Sequence, residues 1–190
     1  HLFEERAEYA QPGLLYRGVK GKFELLGKQG GVYFEQSHVG RGLSTVDLDN
    51  DGDVDLVITH QDAAPAVLAN RRNPSKDRCP ETLRIRLVGS RSNRDAIGAT
   101  VRISQDGNKQ DGNKQVGKKT VMPIKSGSSY LSSHDLRLLI PVLDSSKRVS
   151  LDIRWPTGEE NHIDDLQSGH DYVILEAQEK NASATVICSE

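Results

Sequence analysis

Between Asp47 and Asp55 the chain reads Asp-Leu-Asp-Asn-Asp-Gly-Asp-Val-Asp, with a carboxylate at every second position and a glycine after the third. Few folded environments tolerate that density. Five aspartates in nine residues repel one another, each close pair by about 1 kcal/mol even in a water-like dielectric. A hard cation reverses the sign. Ca²⁺ takes about 6–8 oxygen ligands at ~2.3–2.6 Å, and a short chain can surround it only by turning sharply, as Gly52 permits. The spacing therefore predicts Asp47, Asp49, Asp51 and Asp55 as side-chain ligands and the carbonyl of Asp53 as a backbone ligand. An EF-hand loop starts in the same way but requires a bidentate glutamate at its twelfth position. Counted from Asp47, that position is Ile58, inside the β-branched run Leu56-Val57-Ile58-Thr59. The loop is thus expected to join two strands.

A period of two recurs elsewhere, most clearly in Leu83 to Leu87, Val101 to Ile103 and Leu151 to Trp155. This is the signature of half-buried strands. Further strand candidates are Leu14–Tyr16, Val116–Ile124, Leu136–Val142 and Tyr172–Glu176, and no long amphipathic segment separates them. The expectation is an antiparallel all-β chain. A polar stretch with two prolines, Arg71 to Pro80, has no periodicity and is read as the boundary between two units. The tandem Asp106–Gln110 and Asp111–Gln115 repeat reads as an extended hairpin tip.

Charge and composition exclude other classes. With 25 Lys+Arg against 27 Asp+Glu the net charge is −2, which offers no positive field for nucleic acid. No apolar run approaches the ~18–20 residues of a membrane span, so membrane insertion is not expected. His1 is not a start methionine and the residues after it lack the features of a secretory signal. The chain reads as a fragment or processed product. Cys79 and Cys188 form no metal-type pair. They could make one disulfide in an oxidising compartment or remain two thiols.

Catalytic patterns are missing. The histidines are scattered, with no H-E-x-x-H, and neither a G-x-S-x-G elbow nor a phosphate-binding glycine loop is present. Neighbouring acids such as Glu159-Glu160 and Asp164-Asp165 point to opposite faces of a strand. No enzyme is expected. A ligand surface is conceivable around Ser126 to Ser133, where Ser128 and other hydroxyls would hydrogen-bond a sugar or peptide and Tyr130 would stack on it. The alternative is a loop whose hydroxyls satisfy their own backbone. Trp155, ahead of Pro156 at a strand end, is either a core plug or a second stacking platform.

Val39 to Val46, the aspartate loop and Leu56 to Thr59 together resemble an FG-GAP/VCBS repeat, the blade unit of integrin-α-like β-propellers. Pro12 to Arg17 and Lys22 to Leu26 look like the strands that precede it. From Leu83 onward the chain resembles the ASPIC/UnbV domain of cartilage-acidic-protein-like secreted proteins. That likeness rests on Leu87 to Ala99, on Ser126 to Ser133 with Asp135-Leu136-Arg137, and on Val149 to Gly158. It departs at Leu139 to Asp144, where the family usually reads Phe-Gly-Leu-Gly. The resemblance implies a partial propeller-type blade in residues 1–75, an antiparallel β-sandwich in residues 80–180 and a tail in residues 181–190. It also implies Ca²⁺ at the aspartate loop and a secreted, periplasmic or cell-surface location. The function expected is non-catalytic adhesion to a protein or glycan on a cell surface or matrix, as the C-terminal part of a larger propeller protein. The alternative is a carbohydrate-binding module of a secreted polysaccharide-processing protein.

Overall fold

The computed structural model describes residues 9–71, 81–105, 118–142, 148–180 and 182–189. Its strands in chain order are β1 (Gln11–Pro12), β2 (Tyr16–Val19), β3 (Lys22–Leu25), β4 (Ser37–His38), β5 (Gly40–Val46), β6 (Asp55–His60) and β7 (Ala66–Leu68). The second half adds β8 (Glu81–Val88), β9 (Thr100–Gln105), β10 (Lys118–Pro123), β11 (Leu138–Val142), β12 (Val149–Arg154), β13 (Glu160–Leu166), β14 (Asp171–Leu175) and β15 (Thr185–Ser189). Two short 3₁₀ turns, Gly27–Gly30 and Val32–Glu35, are the only helical pieces among the described residues. The chain is all-β. None of the described helices is long and apolar enough to cross a membrane.

The second half is a sandwich of two four-stranded sheets, ordered β10-β9-β12-β13 and β11-β8-β14-β15. Alternation in the sequence builds its core directly. Leu83, Ile85 and Leu87 of β8, Val101 and Ile103 of β9, and Val149, Leu151 and Ile153 of β12 all face inward and are buried. The arginines between them, Arg86 and Arg102, are carried to the other face and exposed, as a period of two requires. Trp155 joins the same cluster.

Pairing departs from the antiparallel expectation at one place: β14 lies parallel to β8, with Ile174 opposite Leu87. A parallel neighbour needs a long crossover. Here the chain leaves β8, builds the whole opposite sheet and returns as β14. The last residues, expected as a tail, instead supply β15, which pairs with β14 from Asp171↔Ser189 to Leu175↔Thr185. Cys188 is exposed on that strand. Cys79, the duplicated segment at 106–115 and the expected boundary at residues 72–80 lie outside the described residues, as do residues 143–144 of the Leu139–Asp144 departure.

The first half is built from smaller pieces. β1 pairs with β4, β2 with β3, and β5-β6-β7 form a three-stranded antiparallel sheet. The β2–β3 hairpin turns through Lys20 and Gly21, whose φ angles of 47° and 77° suit a type I′ turn. Beside β6, the Tyr33 and His38 rings stack at 4.4 Å and His38 and His60 at 5.0 Å. The Tyr33 hydroxyl lies 2.9 Å from His60 Nε2. These half-buried histidines thus pack against an aromatic ring.

Candidate metal site and its seam with the sandwich

β5 and β6 are consecutive antiparallel strands, Val46 opposite Asp55, so the aspartate loop is the connection of a hairpin. Strand alternation at its two ends buries Asp47 and Asp55, which are 2% and 3% exposed. Two left-handed residues bend the chain between them, Asn50 (φ 59°) and Gly52 (φ 89°). As a result Asp47, Asp49 and Asp55 each bring a carboxylate oxygen within 4.8 Å of the others. Such a cluster could hold a metal ion.

Hydrogen bonds account for most, not all, of the buried oxygens. Both oxygens of Asp55 accept backbone N–H groups, from Leu48 at 3.0 Å and Asn70 at 2.7 Å. Asp47 Oδ2 accepts the N–H of Gly52 at 3.2 Å, while Oδ1 is buried without a partner among the described residues. An ionised oxygen in that position is costly to leave unsatisfied. Burial pushes the Asp47 carboxyl above the usual range, opposed by the Gly52 bond and by the positive charges of Arg137 and Arg84.

Of the four aspartates expected as side-chain ligands, Asp47, Asp49 and Asp55 converge and Asp51 does not. Asp51 is exposed and its Oδ1 accepts the Asp53 N–H at 2.8 Å, while Asp49 Oδ1 accepts the Asp51 N–H at 3.3 Å. The Asp51 side chain thus sits on the outer turn of the loop. A residue count alone could not separate it from the converging set, because the left-handed bends at 50 and 52 break the simple alternation.

The other face of the loop is gripped by the sandwich. Arg137 donates from Nη2 to the Asp47 carbonyl at 2.8 Å and from Nη1 to Asn50 Oδ1 at 2.7 Å, with Nε on Asp135 Oδ2 at 2.7 Å. Arg84 Nη1 donates to the Asn50 carbonyl at 2.8 Å and Thr82 Oγ1 to the Gly52 carbonyl at 2.9 Å. Only glycine fits there. A Cβ at 52 would stand 2.8 Å from Thr82 Cβ.

Further along, the serine-rich segment lies against the open edge of β5. Ser129 Oγ accepts the Leu43 N–H at 3.1 Å, and Ser132 Oγ donates to the Leu43 carbonyl at 2.9 Å. His134 Nδ1 accepts the Thr45 N–H at 3.0 Å, and the Asp135 N–H returns to the Thr45 carbonyl at 2.9 Å. The hydroxyls of Ser129 and Ser132 therefore pair the edge of another sheet, which would otherwise present unpaired groups. Ser128 Oγ contacts His134 Nε2. Tyr130 is left exposed at the tip. Trp155 cannot share a surface with it, being 2% exposed, with its indole N–H on Asn161 Oδ1 at 2.7 Å. Ser128, Tyr130 and Trp155 do not form one ligand site, because strand alternation sends the tryptophan into the core.

A third buried carboxylate was not visible in the sequence pattern. Glu176, 2% exposed, follows β14 and accepts the N–H groups of Ser90, Arg91 and Ser92 at 3.0, 3.0 and 2.8 Å. The hydroxyls of Ser92 at 2.8 Å and Thr157 at 2.9 Å complete the set. Burial alone would raise its carboxyl, but the Ser92, Arg91 and Thr157 bonds outweigh it and hold the pKa at about 2. Asn93 and Asp95, two positions apart, act separately. Asn93 bonds Ile97 in both directions at 2.8 Å, and Asp95 pairs with Arg86 of β8 at 3.2 Å.

Residues 89–181, which include the Glu176 nest, the serine-rich segment, Arg137 and Trp155, match the family described as ASPIC and UnbV. They form an ASPIC/UnbV domain. The match begins after β8 and ends before β15, so the ASPIC/UnbV sheets are completed by strands on either side of it. No curated protein matches the chain. Among solved structures it is similar to a crystal structure from Bacteroides ovatus described as "a putative cell adhesion protein", with 10% identity and a TM-score of 0.33. That likeness covers 98% of this chain and 63% of the other. Thr82 and Arg84 reach the aspartate loop from outside the matched ASPIC/UnbV residues, whereas Arg137 reaches it from within.

Proposed function

We propose that this chain is a non-catalytic, Ca²⁺-stabilised interaction module of the extracellular or cell-surface space. The reading rests first on Asp47. A buried carboxylate oxygen without a hydrogen-bond donor, inside a convergent set of three aspartates, fits a hard cation with all-oxygen ligands. Asp47, Asp49 and Asp55 would hold it, and its contribution would be structural. At a free Ca²⁺ concentration ~200-fold above the dissociation constant, mass action adds about 3 kcal/mol of stability. Calcium at that excess is a feature of the extracellular space, and the ASPIC/UnbV domain together with the FG-GAP-like residues upstream supports that location. In this reading the strands β1 to β7 act as one blade-like unit and β8 to β15 as the sandwich, and adhesion to a protein or glycan is their joint task. Melting with and without EDTA tests the metal. A midpoint that falls on chelation is expected, and an unchanged midpoint contradicts a structural calcium.

The carbohydrate-binding alternative retains one supporting observation, the exposed Tyr130 ring, 64% accessible on a tip fixed by its serine neighbours. A glycan array separates the two readings. Enrichment lost in Tyr130→Ala favours the sugar, and no enrichment leaves the interaction module.

A further inference from the structure

The loop oxygens that meet Arg137, Arg84 and Thr82 come from Asp47, Asn50 and Gly52, two of which bend the loop. The carbonyls of Asp47, Asn50 and Gly52 and the Asn50 amide oxygen accept from Arg137, Arg84 and Thr82. The carboxylates of Asp47, Asp49 and Asp55 converge on one another. Asp47 belongs to both sets, since its side chain enters the cluster and its carbonyl takes the Arg137 bond. The bends at Asn50 and Gly52 that gather the carboxylates also present the carbonyls.

We propose that Arg137, Arg84 and Thr82 couple cation binding at the Asp47–Asp55 loop to the seam between the β5–β7 sheet and the sandwich, each strengthening the other. The proposal rests on the calcium reading above and adds a role for residues that touch no metal. They are positioning residues. A cation that draws the three carboxylates together fixes the loop in the shape whose carbonyls meet the arginines. Reciprocally, a docked sandwich holds the loop in its binding shape before the cation arrives, and linkage requires the two effects to be equal in free energy.

Two influences of Arg137 oppose each other, and their balance is measurable. Its positive charge near Asp47 repels an incoming cation. Its hydrogen bonds preorganise the loop, and couplings of this kind typically change affinity about 5–150-fold. Its guanidinium bonds the Asp47 carbonyl and the Asn50 amide, not the converging carboxylates, so preorganisation is the larger influence. Removing the side chain therefore weakens cation binding although it removes a like charge.

The test is calorimetric titration of Ca²⁺ into the wild-type chain, Arg137→Ala and Arg137→Lys, joined to hydrogen exchange at the amides of Leu43, Thr45 and Asp135. Those amides lie in the seam and outside the loop. Wild-type protein should bind Ca²⁺ and gain protection at all three, Arg137→Ala should bind about tenfold more weakly, and Arg137→Lys should fall between. Circular dichroism and Trp155 fluorescence, reporting the sandwich, establish that each variant is folded. Should Arg137→Ala misfold, exchange at the three amides in the wild-type chain with and without Ca²⁺ decides alone. Equal or tighter binding by Arg137→Ala, or wild-type binding with no change at the seam, overturns the coupling and leaves the calcium reading standing. Absence of Ca²⁺ binding by the wild-type chain overturns both.

Discussion

The two halves of the molecule solve the same problem with different materials. The sandwich buries eighteen residues in one cluster, drawn from β8, β9, β11, β12, β13 and β14 and the turns between them. Among the described residues of the first half, Ile58 is the one large apolar side chain that is buried, in company with Asp47 and Asp55. Phe23, Val32, Leu14 and Tyr9 stay on the surface there. A half with so little apolar burial cannot offset its own chain entropy from hydrophobic contact. What it has instead is a charged loop, a Tyr–His stack and a polar seam. The lesson is that the sandwich stands on its core, whereas the β5–β7 sheet depends on its aspartates and on its neighbour.

Disabling the core should give the largest effect. Trp155→Ala removes the bulkiest fully buried side chain and should cost about 3–5 kcal/mol, read by chemical denaturation. Because the seam needs an intact β11 approach, both halves should lose structure together. A first half that stayed protected in this variant would show that the dependence runs the other way.

Next in size is Glu176→Gln, which removes the charge on which five hydrogen bonds converge. The folded pKa of about 2 lies below the unfolded value, so the carboxylate stabilises the fold above about pH 4.5 and that contribution is lost as pH falls toward 2. The difference of ~2.5 pH units corresponds to about 3 kcal/mol. Urea melts of both proteins from pH 7 to pH 3 should show a gap of that order that narrows on acidification. A pH-independent gap would mean that Glu176 acts through shape alone.

Ile58→Ala should cost about 2 kcal/mol, at the lower end for a buried isoleucine, because its surroundings are already partly open. Its loss should appear as faster exchange in β5–β7 with the sandwich unchanged. Smallest is Ser132→Ala, which takes one donor from the Leu43 carbonyl and should cost about 1 kcal/mol. Exchange at Leu43 and Thr45 should report it before any change in global stability. If the whole molecule melted earlier in this variant, the seam would be as important as the core.

The sandwich was legible because its signal is local. Alternation in Leu83 to Leu87 and Leu151 to Trp155 states both the strand and the buried face. The hairpin around the aspartates was legible for a related reason, since Asp47 and Asp55 flank a sharp turn ahead of a β-branched run. What could not be read was every contact between distant segments. Arg137 meets Asp47 across ninety positions, and Ser90 meets Glu176 across eighty-six. Nothing in a residue's neighbours encodes such a partner. The pairing of Ser129 and Ser132 with Leu43 of β5 was hidden in the same way. The parallel β8–β14 pair and the β15 edge strand likewise follow from tertiary return of the chain and not from local pattern.

The central claim is that a cation at the aspartate loop organises the half without a core. Hydrogen exchange of the wild-type chain in Ca²⁺ and in EDTA, compared between β5–β6 and β8–β14, tests it most directly. Chelation should lower protection at Leu43, Thr45, Val57 and Ile58 and leave Ile85, Leu87 and Ile174 as they were. Unchanged exchange in β5–β6, with the sandwich equally unaffected, would contradict it.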